Sequence, residues 1–275
     1  MVVMNLKSIR SRAARVGAAT MVVAGCLVGT ATADGGGEMP SSHPMLLLNT
    51  LGSQNWAGWA SFGGTFLLPQ AGAVSYVKGE WTVPALNCAG ADADSSVWVG
   101  IDGMTNGTVE QVGTEQDCVG GTAVYKAWWE TYPAPKTPIN MTIKPGHSVR
   151  GEVRYVGNSQ FELTLTNLTT GQSFRTTQAA PGAARSSAEW IVEAPYNNGV
   201  RPLANFGAVS FRNGRSTING QTGPIVRSSG LLSIVTNLLT AQGFTMTGLL
   251  DPKATATNPA ASAGSDAFKV TWVGR

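Results

Sequence analysis

From Asn55 onward the chain consists of short apolar or alternating runs separated by Gly, Pro and Asn. The runs fall at 79–83, 97–101, 122–132, 139–143, 149–156, 160–165, 189–193, 208–211, 231–235 and 267–273. Closely spaced short strands with turn signals between them predict an all-β fold, an antiparallel sandwich or a barrel. Composition points the same way. Only 13% of residues are charged, about half the usual fraction, and helix surfaces are normally paved with Glu, Lys and Arg. With 43% hydrophobic residues and eight Trp the chain can still build a core, which argues against disorder. Residues 231–239 could begin a short helix, and 252–265 reads as a loop before the last strand. No domain boundary is visible after Asn55.

The formal net charge of +3 is misleading. Residues 1–33 carry Lys7, Arg10, Arg12 and Arg15 and no acid; removing them leaves 15 basic residues against 16 acidic, a net of −1. No basic face remains to bind nucleic acid. The leader itself has a basic start, an apolar run from Val16 to about Val28, and Ala31-Thr32-Ala33 before Asp34. That is the pattern of a secretory signal peptide, and the run is shorter than the ~20 residues of a membrane span. Secretion is therefore expected, with no transmembrane span after processing; lipid anchoring at Cys26, within Val23-Ala24-Gly25-Cys26, is the alternative. Residues 34–54 read as a linker or short pro-segment, and 55–275 as the folded domain. Cys88 and Cys118 then remain, an even number that suggests one disulfide in an exported protein. No Cys or His cluster has metal-ligand spacing, so no metal or other cofactor is expected. His43 lies in the linker and His147 follows Pro145-Gly146, which leaves a Ser–His triad poorly supported.

Scarce charges make each acid informative. Strand alternation puts Glu189, Ile191 and Glu193 on one face, so two carboxylates flanked by Trp and aliphatics could serve acid–base chemistry. An edge strand with a solvated acidic face explains the segment equally well. In 125–132, Lys126, Trp128, Glu130 and Tyr132 share one face, more like a groove floor than a core. Trp98 and Asp102 also share a face, although Asp102 before Gly103 could equally be a turn residue. On the residues alone, glycoside hydrolysis by paired carboxylates, peptide hydrolysis by a carboxylate-activated water, and non-catalytic binding of carbohydrate or peptide all remain open.

The same segments resemble the glutamic peptidases, the eqolisin or G1 family. The resemblance is carried by Asn55-Trp56-Ala57-Gly58, Thr82-Val83-Pro84, Trp98-Val99-Gly100-Ile101-Asp102-Gly103 and Gln111-Val112-Gly113. It continues through the Tyr125 to Pro133 segment, Asn167-Leu168-Thr169-Thr170-Gly171-Gln172, Ala188-Glu189-Trp190-Ile191-Val192-Glu193 and the closing strand around Trp272. It implies a concanavalin A-like or jelly-roll sandwich with a concave substrate groove, and an endopeptidase acting on polypeptides, most simply as a monomer. The family's catalytic Gln matches Gln111 and its catalytic Glu matches Glu193. Glu193 would then take a proton from the attacking water, and the Gln111 amide would donate to the developing oxyanion. Gln116 competes for the Gln role on sequence alone, and the resemblance selects Gln111. Trp56, Trp98, Asp102, Glu130 and Tyr132 match positions that line or orient the groove, and Glu189 and Lys126 share its faces. A Cys88–Cys118 disulfide would brace it. Lys126 stands where fungal members carry Asp, and a cation there is expected to relax the restriction to very acidic pH.

Overall fold

The computed structural model describes residues 52–65, 67–225, 241–247, 252–256 and 266–274; the leader, the 231–239 segment and His43 lie outside them. Two antiparallel sheets account for the fold. The first runs, from one edge, β10 (Ser173–Ala179), β9 (Gln160–Asn167), β8 (Ser148–Gly157), β3 (Val74–Thr82) and β12 (Ala208–Ile218). It continues through β16 (Phe268–Trp272), β15 (Pro252–Ala256) and β14 (Ala241–Thr247). Strand β14 also pairs with β2 (Trp56–Phe62) and so passes into the second sheet. That sheet goes on through β11 (Ser187–Glu193), β4 (Ala93–Ile101), β5 (Val109–Val119), β6 (Thr122–Tyr132) and β7 (Thr137–Ile139). Off this path, β1 (Gly52–Ser53) pairs in parallel with β14, and β13 (Gln221–Pro224) pairs with β12. Among the described residues the first strand is at Gly52, within the segment the sequence suggests as a linker.

Period-two alternation decides what each face does. On β11, Ala188, Trp190 and Val192 point into the main core, where Val97, Val99 and Ile101 of β4 and Val112 of β5 join them. From the other sheet, Trp81, Val149, Val153, Phe161, Leu163, Leu165 and Phe211 close that core. The reverse face of β11, with Ile191, belongs to a second apolar cluster containing Trp56, Phe62, Trp98, Met104 and Trp128. Sheet-on-sheet packing thus makes the core, and the second sheet keeps another apolar layer on its outer face.

Three sequence expectations need correction. Residues 139–143 form a strand only as far as Ile139; β7 ends there because Met141 bonds back to the Ile139 carbonyl. Residues 252–256, expected as loop, are a strand between β14 and β16, with the Pro at its first position, where a missing N–H is tolerated. Strand β11 is no edge strand but lies between β2 and β4, so Glu189 and Glu193 are buried rather than solvated. The Cys88–Cys118 disulfide is formed, tying the loop after β3 to the end of β5.

Candidate active site

Strand register arranges the outer face of the second sheet in rows. The first row reads Glu130, Gln111, Gly100, Glu189 and Ala60 across β6, β5, β4, β11 and β2. The next reads Trp128, Gly113, Trp98, Ile191 and Gly58, and the third Lys126, Glu115, Ser96, Glu193 and Trp56. Gln111 and Glu193 therefore face the same way on β5 and β11, on either side of β4, at opposite corners of this array with Trp98 at its centre. Gln116 is five residues from Gln111, hence on the other face, where its amide donates to Thr114 Oγ1 at 2.6 Å. Of the two glutamines, only Gln111 shares the face of Glu193.

Two glycines make room for the central indole. A Cβ at Gly113 would lie 2.5 Å from the Val97 carbonyl and 2.7 Å from the Trp98 Cβ, and one at Gly100 would lie 3.1 Å from both the Trp98 ring and the Gln111 Cβ. Trp98 then reaches along the floor to donate from Nε1 to Glu193 Oε2 at 2.8 Å. Its ring meets Trp56 edge-on, with centroids 4.9 Å apart. Asn55 Nδ2 adds a longer contact of 3.4 Å to Glu193 Oε1. Sequence reasoning quoted Asn55 without giving it a role; its place next to Trp56, the register partner of Glu193, was the available signal.

Gln111 Nε2 donates to Glu130 Oε2 at 2.5 Å. Burial pushes the Glu130 carboxyl up to about 7, against the lowering effects of the Gln111 bond and of Lys136, with Glu115 pushing it up. Glu189 is wholly buried, and desolvation holds its carboxyl well above the ordinary value, against a hydrogen bond from Ser187 and with Asp102 adding to the rise. Tyr132 packs against the outer apolar cluster, its phenol raised by burial and then by Glu130.

Asp102 is the turn residue that the sequence allowed for, with φ of 70°. Its carboxylate accepts from the Arg185 and Ser186 amides at 2.5 and 2.8 Å, and from Asn106 Nδ2 at 2.8 Å. It touches neither Gln111 nor Glu193 but ties the end of β4 to the start of β11, which fixes Trp98 against Glu193. Lys126 is half exposed and bonds Asp117 at 3.2 Å, away from Glu130. The cation acting on Glu130 is instead Lys136, which precedes β7 and pairs with Glu115 on the floor. Neither Lys136 nor Glu115 was singled out by sequence reasoning. Their pairing depends on the short β6–β7 hairpin folding a lysine back across two strands.

Eight buried polar side-chain atoms among the described residues have no hydrogen-bond partner. Five of them lie on this face: Trp56 Nε1, Trp128 Nε1, Gln111 Oε1, Asp117 Oδ1 and Glu189 Oε2. Buried polar groups are almost always paired, and most of these unpaired atoms share the face of Gln111 and Glu193. Gln111 and Glu193 are each 1% exposed. No group of His, Cys, Asp and Glu among the described residues could hold a metal ion.

The site is thus a carboxylate and a carboxamide set about a tryptophan on one face of a two-sheet β-sandwich. The Peptidase A4 family matches residues 54–247, and the chain belongs to that family. Aspergillopepsin-2 of Aspergillus niger is 33% identical over 197 residues, covering 62% of this chain and 66% of that protein. Scytalidopepsin B of Scytalidium lignicola is 31% identical over 144 residues, covering 50% of this chain and 51% of that protein. The chain thus spans somewhat less than two thirds of the first relative and about half of the second. Among solved structures, scytalido-glutamic peptidase with a transition state analog inhibitor superposes with a TM-score of 0.62 at 24% identity, covering 80% of this chain and 98% of that one. Aspergilloglutamic peptidase from Aspergillus niger gives 0.55 at 27% identity, covering 66% of this chain and 99% of that one. These likenesses agree with the sandwich fold expected from the sequence.

Proposed function

We propose that the chain is an exported glutamic endopeptidase in which Glu193 activates a water and Gln111 stabilises the oxyanion. The observation that carries this reading is the shared outer face of Gln111 and Glu193 about Trp98, with orphaned polar atoms around them. An extended polypeptide offers alternating N–H and C=O groups, the partners those atoms lack. Glu193 accepts its proton as the water attacks the scissile carbonyl, and returns it to the leaving amine. The Trp98 N–H orients one carboxylate oxygen and Asn55 Nδ2 contacts the other; a carboxylate oxygen has a second lone pair with which to take the water's proton. A neutral amide at 111 donates to the oxyanion without the repulsion that a second carboxylate would bring. Trp56, Trp128 and Tyr132 supply apolar surface beside the scissile bond. The likeness to Aspergillopepsin-2 and Scytalidopepsin B, and to a scytalido-glutamic peptidase structure holding a transition state analog inhibitor, supports the same reading.

The glycosidase alternative relies on Glu189 and Glu193. Four residues apart on one strand, they are separated by about 13 Å along β11, beyond the ~6.5–9.5 Å of paired catalytic carboxylates. Digestion of casein and of polysaccharide by the wild type, Glu193→Gln and Gln111→Glu tests the proposal. Casein cleavage that both substitutions suppress is expected; polysaccharide cleavage, or full casein cleavage by Glu193→Gln, would contradict it.

A further inference from the structure

The Gln111 side chain can present two different chemistries to the floor, and its neighbour decides which. A carboxamide carries an acceptor on one branch and two donors on the other. In this structure Nε2 is taken up by Glu130 at 2.5 Å, while Oε1 is buried without a partner. Both residues sit in one register row and are almost fully buried, at 1% and 3% exposure, so no solvent intervenes to satisfy either branch.

An ionised Glu130 can only accept. It therefore binds the Gln111 amino group and leaves Oε1 turned outward beside the one remaining N–H. A carbonyl oxygen in that position repels a developing oxyanion. A protonated Glu130 has an O–H to donate, and the acceptor within reach is the Gln111 carbonyl. Rotation of the amide about its last torsion brings Oε1 to Glu130 and turns both N–H groups toward the substrate. The change needs one proton from solvent and no movement of either backbone.

We infer that Glu130 is a positioning residue, a proton-operated switch that sets which end of the Gln111 amide faces the scissile carbonyl. The inference rests on the reading of Gln111 as the oxyanion donor. Hydrolysis then requires Glu130 protonated, and activity falls as pH rises through its titration. The groups that face Glu130 are Gln111 and Glu115 on β5, Tyr132 on its own strand and Lys136 before β7. Lys126 and Asp117, farther along the same face, are paired with each other. Burial and Glu115 favour the acid, and Gln111 and Lys136 favour the carboxylate; the balance near 7 makes the switch responsive at neutral pH.

The opposing effects of Lys136 and Glu115 supply the test. Lys136 is 42% exposed and pairs with Glu115, so neither Lys136→Met nor Glu115→Gln empties a core. The pH dependence of kcat for a soluble peptide is measured for the wild type and both variants. The alkaline limb should move to higher pH in Lys136→Met, where a cation is lost, and to lower pH in Glu115→Gln, where an anion is lost. In Glu130→Gln that limb should disappear. A limb that stays in place in both charge variants, or moves the same way in both, overturns the switch. Gln111→Ala separates the two levels. If it keeps wild-type kcat, the oxyanion reading itself fails. If it loses kcat while the limb ignores residues 115 and 136, only the switch fails.

Discussion

Replacing Glu110 with Leu should stabilise the protein, and by more at neutral than at acid pH. Glu110 lies on the inner face of β5, opposite Ile101 and two residues before Val112, fully buried, and neither carboxyl oxygen has a hydrogen-bond partner. Burial, and then the charge of Asp102, hold its carboxyl well above the ordinary 4.5. With the folded value above the unfolded one, the folded state binds more protons. The associated stability is therefore complete below about pH 4.5 and is lost as pH rises through the folded value. Each unit above 4.5 costs about 1.36 kcal/mol while the group stays protonated, so at pH 7 the loss reaches at most about 3 kcal/mol. A carboxyl buried without a partner costs a further ~1–3 kcal/mol at any pH. Leu has a comparable volume and carries neither penalty. The gain should be about 1–3 kcal/mol at pH 4.5 and should grow toward about 4–6 kcal/mol at pH 7. Urea unfolding followed by tryptophan fluorescence measures it, in a Glu193→Gln background to prevent self-digestion. Glu110 also helps to hold the Glu189 carboxyl up, so its removal eases Glu189 and adds to the gain at neutral pH. A gain that is the same at both pH values, or a loss at both, would refute the reasoning.

Two further substitutions probe the frame around the site. Trp98→Phe keeps an aromatic ring against Trp56 but deletes the 2.8 Å bond to Glu193. A hydrogen bond to a charged group contributes about 1.5–3 kcal/mol, so kcat should fall about 10–100-fold, with unchanged near-UV circular dichroism. An unaltered kcat would show that the indole does not orient the carboxylate. Replacing both Cys88 and Cys118 by Ser opens a loop whose ends are 30 residues apart. Loop entropy then predicts a stability loss of about 3–4 kcal/mol, read from the urea midpoint; no change would mean that the unfolded chain is not constrained by the bridge.

Much of the site was legible in the sequence because a strand sorts side chains by parity. Glu193 with Ile191 outward and Trp190 inward, and Trp128 with Tyr132 on the face opposite Ala127 and Trp129, follow from alternation and are found so. The apolar-run criterion missed β2, β5, β10 and β14, besides the short β1 and β13. The sequence of β10, Ser-Phe-Arg-Thr-Thr-Gln-Ala, is an edge strand with little apolar surface to display. Strand β5 buries Glu110, Gln111, Glu115, Gln116 and Asp117, so a strand at the centre of the chemistry reads as polar. Its polar residues are the site's own material. The 252–256 strand was hidden because small and hydroxylated residues give no periodic signal until a neighbouring strand buries Ala254. Lys136 was invisible for a different reason. Its partner Glu115 lies 21 residues away, and only the return of the β6–β7 hairpin brings the two together.

The central claim is that the Glu193 carboxylate is the base that activates water on a floor where Gln111 receives the oxyanion. The most direct test measures kcat and peptide Kd separately for the wild type and Glu193→Gln. The substitution keeps the shape of the side chain and removes only its basicity. The account predicts an unchanged Kd with kcat lowered by about 10²–10⁴-fold, the usual contribution of a general base. A variant that binds peptide and hydrolyses it at the wild-type rate would contradict it.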